Sequence, residues 1–452
     1  MFKSARLISM AGLVAVGAAA CGTSTATQSS SSGGGLASCS GTITVATDLP
    51  LTGGDATDGP FPQMAAELAV NQAIADKLLG GCTLKYISDD DSSVAQNGHD
   101  PAKGAANITA LAANSSVVGV VGPFNSSVAL AEIPVASMDH LPIISPANTN
   151  PCLTVAVPVC SDPTIKIDTT GLYPGVHSYF RVIASDVQQG EIDAYVATKV
   201  LNETKVYVLD DGQAYGRGIA LLFSKYFQAD GGSIVNGTSI SMPDNTTSYA
   251  TQISQAQSEG AQLIFFGGTT GDGCGLVRRD EVSGGLTLPF LSPDGCQDQL
   301  FITDSNSGSN SSAAEGAYAT SAPDVTKLAS SAAFYAAYAQ AYASQPAPYN
   351  NAMNEPYSPY GYDAMNILLQ AIKNVLTANG GKIPTGSQYA FRDDIIAQLH
   401  KITYSGALGT TSFDANGDTT NGGFTLYKVE SGNWVGVNTY KVNGSGTVTQ
   451  ES

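Results

Sequence analysis

From residue 41 onward the chain alternates short runs of β-branched and aliphatic residues with stretches whose apolar positions recur at helical spacing. This is the pattern of a parallel sheet covered on both faces. Residues 42–47, 83–88, 117–121, 141–145, 205–209, 262–266 and 288–291 read as strands. Several are continuously apolar rather than alternating, as strands buried on both faces are. Between the first two, Phe61, Ala65, Leu68, Ala69, Ala75 and Leu79 recur at helical spacing, and Gly80-Gly81 ends the run. Residues 101–113, 190–200, 215–230, 249–258 and 362–378 predict further helices. Two successive sets of βα units, on either side of about residue 180, predict an α/β fold of two Rossmann-like lobes. Residues 150–173 have no helical period and read as a surface excursion, 305–312 as a polar loop, and 423–429 with 434–442 as a hairpin turned at Glu430-Ser431-Gly432-Asn433.

The first forty residues differ in kind. Lys3 and Arg6 precede an apolar run over 7–16 and then Ala18-Ala19-Ala20-Cys21, which reads as a secretion signal over 1–20. Ala-Ala-Cys followed by Gly22 and a Ser/Thr/Gly tract resembles a bacterial lipoprotein start, with Cys21 lipidated and 21–41 a flexible tether. Ala18-x-Ala20 also suits ordinary signal cleavage, which would give a free periplasmic or secreted protein. Without Lys3 and Arg6, 18 bases face 38 acids, a net charge of −20, which excludes nucleic acid and anionic membrane surfaces as partners. Apart from Cys21, the chain holds Cys39, Cys82, Cys152, Cys160, Cys274 and Cys296, an even set in an exported chain. Fifteen pairings are open; nearness along the chain and in the expected fold favours Cys39 with Cys82, Cys152 with Cys160, and Cys274 with Cys296. No C-x-x-C occurs and His99, His140, His177 and His400 are scattered, so neither a metal site nor a cofactor is expected.

Ligands of a doubly wound sheet bind beyond the carboxyl ends of its strands. The loops there are 122–127, 146–149, 210–216, 267–271 and 292–295, rich in hydroxyls and free backbone amides, with aromatic and acidic side chains among them. This equipment suits a small zwitterion: donors for a carboxylate, a carboxylate for an ammonium. Each candidate has a plainer reading: Ser126 with Ser127 as a helix cap, Ala147 and Thr149 as an ordinary turn, Tyr215 as a surface aromatic, Asp294-Gly295 as a turn pair. Asp89-Asp90-Asp91 reads as a solvated strand end. Asp414-x-Asn416-x-Asp418 lacks the glycine and glutamate of a calcium loop and reads as a turn. No nucleotide-binding, hydrolase or zinc-protease motif occurs, so an enzyme is not expected.

The stretches Pro50-Leu-Thr-Gly53, Asp89-Asp90, "VVGVVGPFNSS" at 117, "LPIISPANTNPCLT" at 141, "YFRVIASDVQQG" at 179, "KVYVLDDGQAYGRG" at 205, "LPFLSPDG" at 288, "PYGYDAMNILLQAI" at 359 and "GALGTTSFDANGD" at 406 follow one another in family order. In them the chain resembles the leucine/isoleucine/valine-binding type of periplasmic binding protein, the type I solute receptors of ABC transporters. The resemblance implies two lobes joined by three hinge crossings, with 41–184 and 317–405 in one lobe and 185–316 and 406–452 in the other. It implies that the Ser126 hydroxyl and the Ala147 and Thr149 N–H groups hold the ligand carboxylate. Thr149 also reaches the ammonium, Tyr215 closes over the ligand, Asp294 takes the ammonium and Tyr357 forms an apolar wall. Thr269 and Asp58 stand where leucine receptors carry aromatics, so the side-chain end of the pocket is expected to be roomier and more polar. The implied partners are a small amino-acid-like solute and a membrane permease, with the receptor a monomer. A sensor of the same fold without transport, or an extracellular hydrolase, are the alternatives.

Overall fold

The computed structural model describes residues 36–165, 167–444 and 446–451; the leader and Cys21 lie outside them. A first sheet contains β1 (Thr42–Leu49), β2 (Thr83–Asp90), β3 (Val117–Val121), β4 (Ile143–Ser145) and β5 (Tyr179–Arg181). All are parallel, in the order β2-β1-β3-β4-β5. The order reverses between β1 and β3, and the loops leaving those two strands diverge around a crevice. Gly122 closes β3 at φ +144°, and a Cβ there would lie 2.1 Å from the Asp48 carbonyl, so only glycine permits this approach.

Helix α1 (Pro60–Ala75) buries Phe61, Ala65, Leu68 and Ala69. Helix α2 (Pro101–Ala113) starts on Asp100, whose carboxylate accepts the Ala102 N–H at 2.9 Å, with Pro101 in the first turn. Helix α3 (Ser126–Met138), not anticipated from periodicity, follows β3.

A second sheet is built from β6 (Lys205–Asp210), β7 (Leu263–Gly267), β8 (Phe290–Ser292) and β9 (Tyr318–Ser321), parallel and adjacent in that order. Its helices are α4 (Asp186–Tyr195), α5 (Ala214–Ala229), α6 (Ala250–Ser258), α7 (Cys274–Ser283) and α8 (Gln299–Ser305). The chain then forms α9 (Ala332–Ala341), α10 (Ser358–Ala378) and α11 (Ala390–Leu399), and Leu368, Ile372, Leu376 and Ile395 pack into the core of the first sheet. Finally β10 (Phe424–Glu430), β11 (Asn433–Val442) and β12 (Val448–Gln450) extend the second sheet antiparallel from β9. Ser431 and Gly432, at φ 54° and 73°, turn the expected hairpin in the manner that matches strand twist.

The chain therefore passes between the sheets three times. It stays in the second sheet through Ser321, past the 316 boundary, because β9 completes the parallel pairing with β8. Leu408 and Phe413 are buried in the first sheet's core, so the last passage falls after residue 413 rather than at 406. Disulfides join Cys39 to Cys82, Cys152 to Cys160 and Cys274 to Cys296. Among its described residues the excursion over 150–173 carries only the short 3-10 turns Pro151–Leu153, Pro158–Ser161 and Thr170–Leu172.

The Asp89–Asp91 run departs from its reading as a solvated end. Asp91 is fully buried under α3, neither of its carboxylate oxygens has a hydrogen-bond partner, and it meets Asp48 of β1 and Glu132 of α3 with oxygens within 4.8 Å of one another. Burial, opposed in part by the Asn107 amide that donates to Oδ1 at 2.8 Å, pushes Asp48 up to about 7. Burial, and after it the Asp48 charge, pushes Asp91 and Glu132 well above the carboxylate range.

In the denatured, unreduced protein, thiol counting is expected to find none of these six cysteines free, and removal of the Cys39–Cys82 bridge to cost about 2–5 kcal/mol; two or more free thiols would contradict the pairing. The carboxyl cluster binds protons in the native state that the unfolded chain has released, so stability falls as pH rises from about 4 to about 7. Melting temperatures at constant ionic strength should decline over that interval, less steeply in Glu132→Gln; the same slope in the variant would show that Glu132 holds no extra proton in the native state.

Candidate functional site

The carboxyl ends of both sheets face one another, and their contact centres on one carboxylate. Asp294 follows β8 as the first residue of the 3-10 turn Asp294–Cys296 and is buried. The Tyr215 hydroxyl, from the start of α5 in the second half, donates to Oδ1 at 2.5 Å. The Tyr357 hydroxyl, just before α10 in the first half, donates to Oδ2. Tyr215 in turn accepts the Gly295 N–H at 3.0 Å. The Tyr357 ring packs edge-on against Phe124 at 5.1 Å, so this residue is more than the apolar wall expected of it: its polar tip is part of the site. Burial raises the Asp294 carboxyl, while the two tyrosine hydroxyls and Gln189 pull it back. Asp186, with no hydrogen-bond partner on either oxygen, is pushed well above the usual range by burial and then by the Asp294 charge.

The loop after β4 abuts this centre, since the Thr149 carbonyl accepts the Asp186 N–H at 2.8 Å. Ser126 is the first residue of α3 rather than its cap; Asn125 holds the cap position and no side-chain cap bond forms. Ser126 is a buried residue, and its hydroxyl makes no hydrogen bond among the described residues. Ala147 differs from expectation: its N–H donates to Ser145 Oγ at 3.2 Å, beside that of Asn148 at 2.9 Å, so the Ala147 donor is already engaged. Thr269 lies beside Gly295 and Tyr215, with its hydroxyl on Asp272 at 2.8 Å. Tyr215, Asp294 and Tyr357 thus meet directly, Thr149 and Thr269 adjoin them, and Ser126 and Ala147 stand at the strand ends opposite.

A second acidic centre went unforeseen apart from Asp58. Asp58, ahead of α1, lies close to Asp298 of the second half, and burial followed by the charges of Asp298, Glu355 and Asp55 raises it well above the usual range. Asp298 also caps α8, accepting the Phe301 N–H at 2.9 Å; an acid three residues before the start of an apolar helix face was the signal available in sequence. Nearby, His99 Nδ1 lies 3.0 Å from Asp55 Oδ2; burial lowers the imidazole, but the Asp55 charge and hydrogen bond outweigh it and bring His99 to about 9.

The first half's loops are fixed by Arg181, which is fully buried. Its guanidinium donates to Asp418 Oδ1 at 2.6 Å, to the Asn148 and Asn150 carbonyls at 3.3 and 2.8 Å, and to Thr154 Oγ1 at 2.8 Å. Asp418 reaches it from the turn in which Asp414 Oδ1 accepts the Asn416 and Asp418 N–H groups. Among the described residues no helix is long and apolar enough to cross a membrane.

Residues 42–433 match the family described as periplasmic binding protein. The chain is 25% identical over 392 residues to Leu/Ile/Val-binding protein homolog 1 of Brucella suis biovar 1, a match covering 86% of this chain and 91% of that protein. Its fold is similar to that of a leucine-binding protein, LivK, of Thermotoga maritima, with a TM-score of 0.69 at 22% identity over 88% of this chain and 98% of the other. A solute-binding protein of an R. palustris ABC transporter, in complex with 4-hydroxybenzoate, is similar at a TM-score of 0.69 and 20% identity over 88% and 97% of the two chains. The relatives are solute-binding proteins, not enzymes. With the family match running through both sheets and all three passages between them, the chain belongs to the type I periplasmic binding proteins, a family of extracytoplasmic solute receptors.

Proposed function

We propose that this protein closes its two halves on a small amino-acid-like solute and presents the closed form to an ABC permease, held at the membrane by a lipid on Cys21. The observation that carries this reading is Asp294, a buried carboxylate that receives one tyrosine hydroxyl from each half. A ligand ammonium joining Asp294 gains a charged partner in a site shielded from water. The ligand carboxylate then faces the free Ser126 hydroxyl at the start of α3 and the Thr149 loop, where helix N–H groups favour negative charge. Thr269 and Asp58 border the side-chain end. The three passages between sheets serve as hinges; when the halves part Tyr357 leaves Asp294, while Tyr215, in the same half as Asp294, stays with it.

Free α-amino acids, rather than carboxylates lacking an ammonium such as 4-hydroxybenzoate, are expected to raise the melting temperature. At 100 times the dissociation constant the gain is about 2.7 kcal/mol. No shift across a broad amino-acid panel, with a shift from aromatic acids or sugars, would refute the zwitterion clamp. Asp294→Ala leaves the ligand ammonium buried without a partner, a loss of about 3–5 kcal/mol, or about a hundredfold to several-thousandfold in affinity. Calorimetry on Asp294→Ala and Asp58→Ala separates the two acids: near-normal binding by the first with none by the second would move the ammonium to Asp58.

A further inference from the structure

The three carboxyl groups that meet under α3 come from segments far apart in the chain. Asp48 is the penultimate residue of β1, Asp91 follows β2, and Glu132 lies midway along α3. All three are fully buried, and an oxygen from each lies within 4.8 Å of the other two. The backbone holds Asp91 from both sides: its N–H donates to the Leu49 carbonyl at 3.2 Å, and its carbonyl accepts the Asp100 N–H at 2.9 Å. Gly104 of α2 leaves room for Glu132, since a Cβ there would lie 2.8 Å from Glu132 Oε1 and 2.5 Å from Val128 Cγ1. A side chain at 104 would push the carboxylate out of the cluster or the two helices apart.

Acidic company alone specifies no ligand; the further sign is how few donors reach it. Asn107 donates to Asp48 Oδ1 at 2.8 Å, and the other five carboxylate oxygens, both of Asp91 among them, have no hydrogen-bond partner among the described residues. Buried acceptors left unpaired are costly and rare. The cations whose charge reaches the cluster are engaged elsewhere. Lys103 donates to the Ser92 carbonyl at 2.6 Å and lies 3.9 Å from Asp90, and His99 pairs with Asp55 at 3.0 Å.

Five converging carboxylate oxygens select a hard cation that needs neither thiolate nor imidazole. The scattered histidines and the missing C-x-x-C bear on softer metals and leave this all-oxygen set open. Mg²⁺ demands near-ideal octahedral geometry and usually keeps several waters, a poor match to carboxylates roofed by a helix. Ca²⁺ accepts flexible geometry, with oxygens at about 2.3–2.6 Å. Two oxygens on one Ca²⁺ lie at most about 5 Å apart, and the 4.8 Å spread of this cluster meets that limit.

We propose that Asp48, Asp91 and Glu132 form a structural Ca²⁺ site, separate from the solute clamp. The ion ties α3, with Ser126 as its first residue, to the ends of β1 and β2. Protons occupy the same carboxyls when the ion is removed, so Ca²⁺ displaces them on binding.

The mature protein, stripped with EDTA, is dialysed against radioactive Ca²⁺ at about pH 8 and physiological ionic strength, where the diffuse attraction of so acidic a chain is screened. One Ca²⁺ per chain is expected, with a saturable rise in melting temperature that equal MgCl₂ does not match. Glu132→Gln and Asp91→Asn, both close in shape to the native residues, should each weaken binding by roughly tenfold or more, whereas Asp414→Asn, in the other acidic turn, should leave it within about threefold. If the wild-type chain retains no Ca²⁺, the cluster holds protons only and the assignment is overturned, whether or not the variants fold. Undiminished binding by folded Glu132→Gln, or loss in Asp414→Asn alone, would place the ion elsewhere and overturn it as well.

Discussion

Arg181 is a charge with no water around it, and the geometry of the first half follows from that. A guanidinium removed from solvent is tolerable only if its donors are met, and here they are met by a carboxylate, two carbonyls and a hydroxyl. Two of those acceptors, Asn148 and Asn150, flank Thr149, and Asp418 belongs to the last passage between the sheets. One side chain therefore sets the loop that carries Thr149 and anchors the chain as it leaves the first half. Loss of any partner leaves a buried charge unmet, so these distant segments have one arrangement in common.

The contact between the halves obeys a related rule with the opposite sign. Asp58, Asp186, Asp294, Asp298 and Glu355 crowd a region with little compensating positive charge, and burial drives their carboxyls toward the protonated state. Hydroxyl donors, from Tyr215 and Tyr357 on Asp294 and from Thr270 on Asp298, satisfy part of the demand without adding charge. A surface so poor in cations discriminates by charge before it discriminates by shape.

Much of the fold was legible in the sequence where an element has sharp ends and one buried face. Strand β3 runs from Val117 to Val121 as read, bounded by Ser116 and Gly122, and α2 is framed by Asp100-Pro101 and Asn114. Helix α3 escaped because its outer face carries the apolar Leu130, Ala131 and Val135 while its buried face carries Ser126 and Glu132, so polarity does not mark the buried face, and Pro134 interrupts its interior. Strand β9 escaped because Tyr-Ala-Thr-Ser is short and scarcely apolar. At the site, Asp294 was readable from its loop and from the family resemblance. Its bond to Tyr357 was not, being made across 63 residues of chain. Nor does sequence distinguish an acid roofed by a helix, such as Asp91, from one in water, since both sit at the end of a strand.

Cys274 opens α7 and Cys296 ends the turn that starts at Asp294, so one covalent bond joins the loops after β7 and β8. Those loops carry Thr269 and Asp294. The freedom of both is surrendered when the thiols are oxidised, before any solute arrives, and the entropy of ordering them is not charged against binding. Export is in this sense part of the construction of these loops: in a reducing cytosol the Cys274–Cys296 bridge is absent and only non-covalent contacts tie them together.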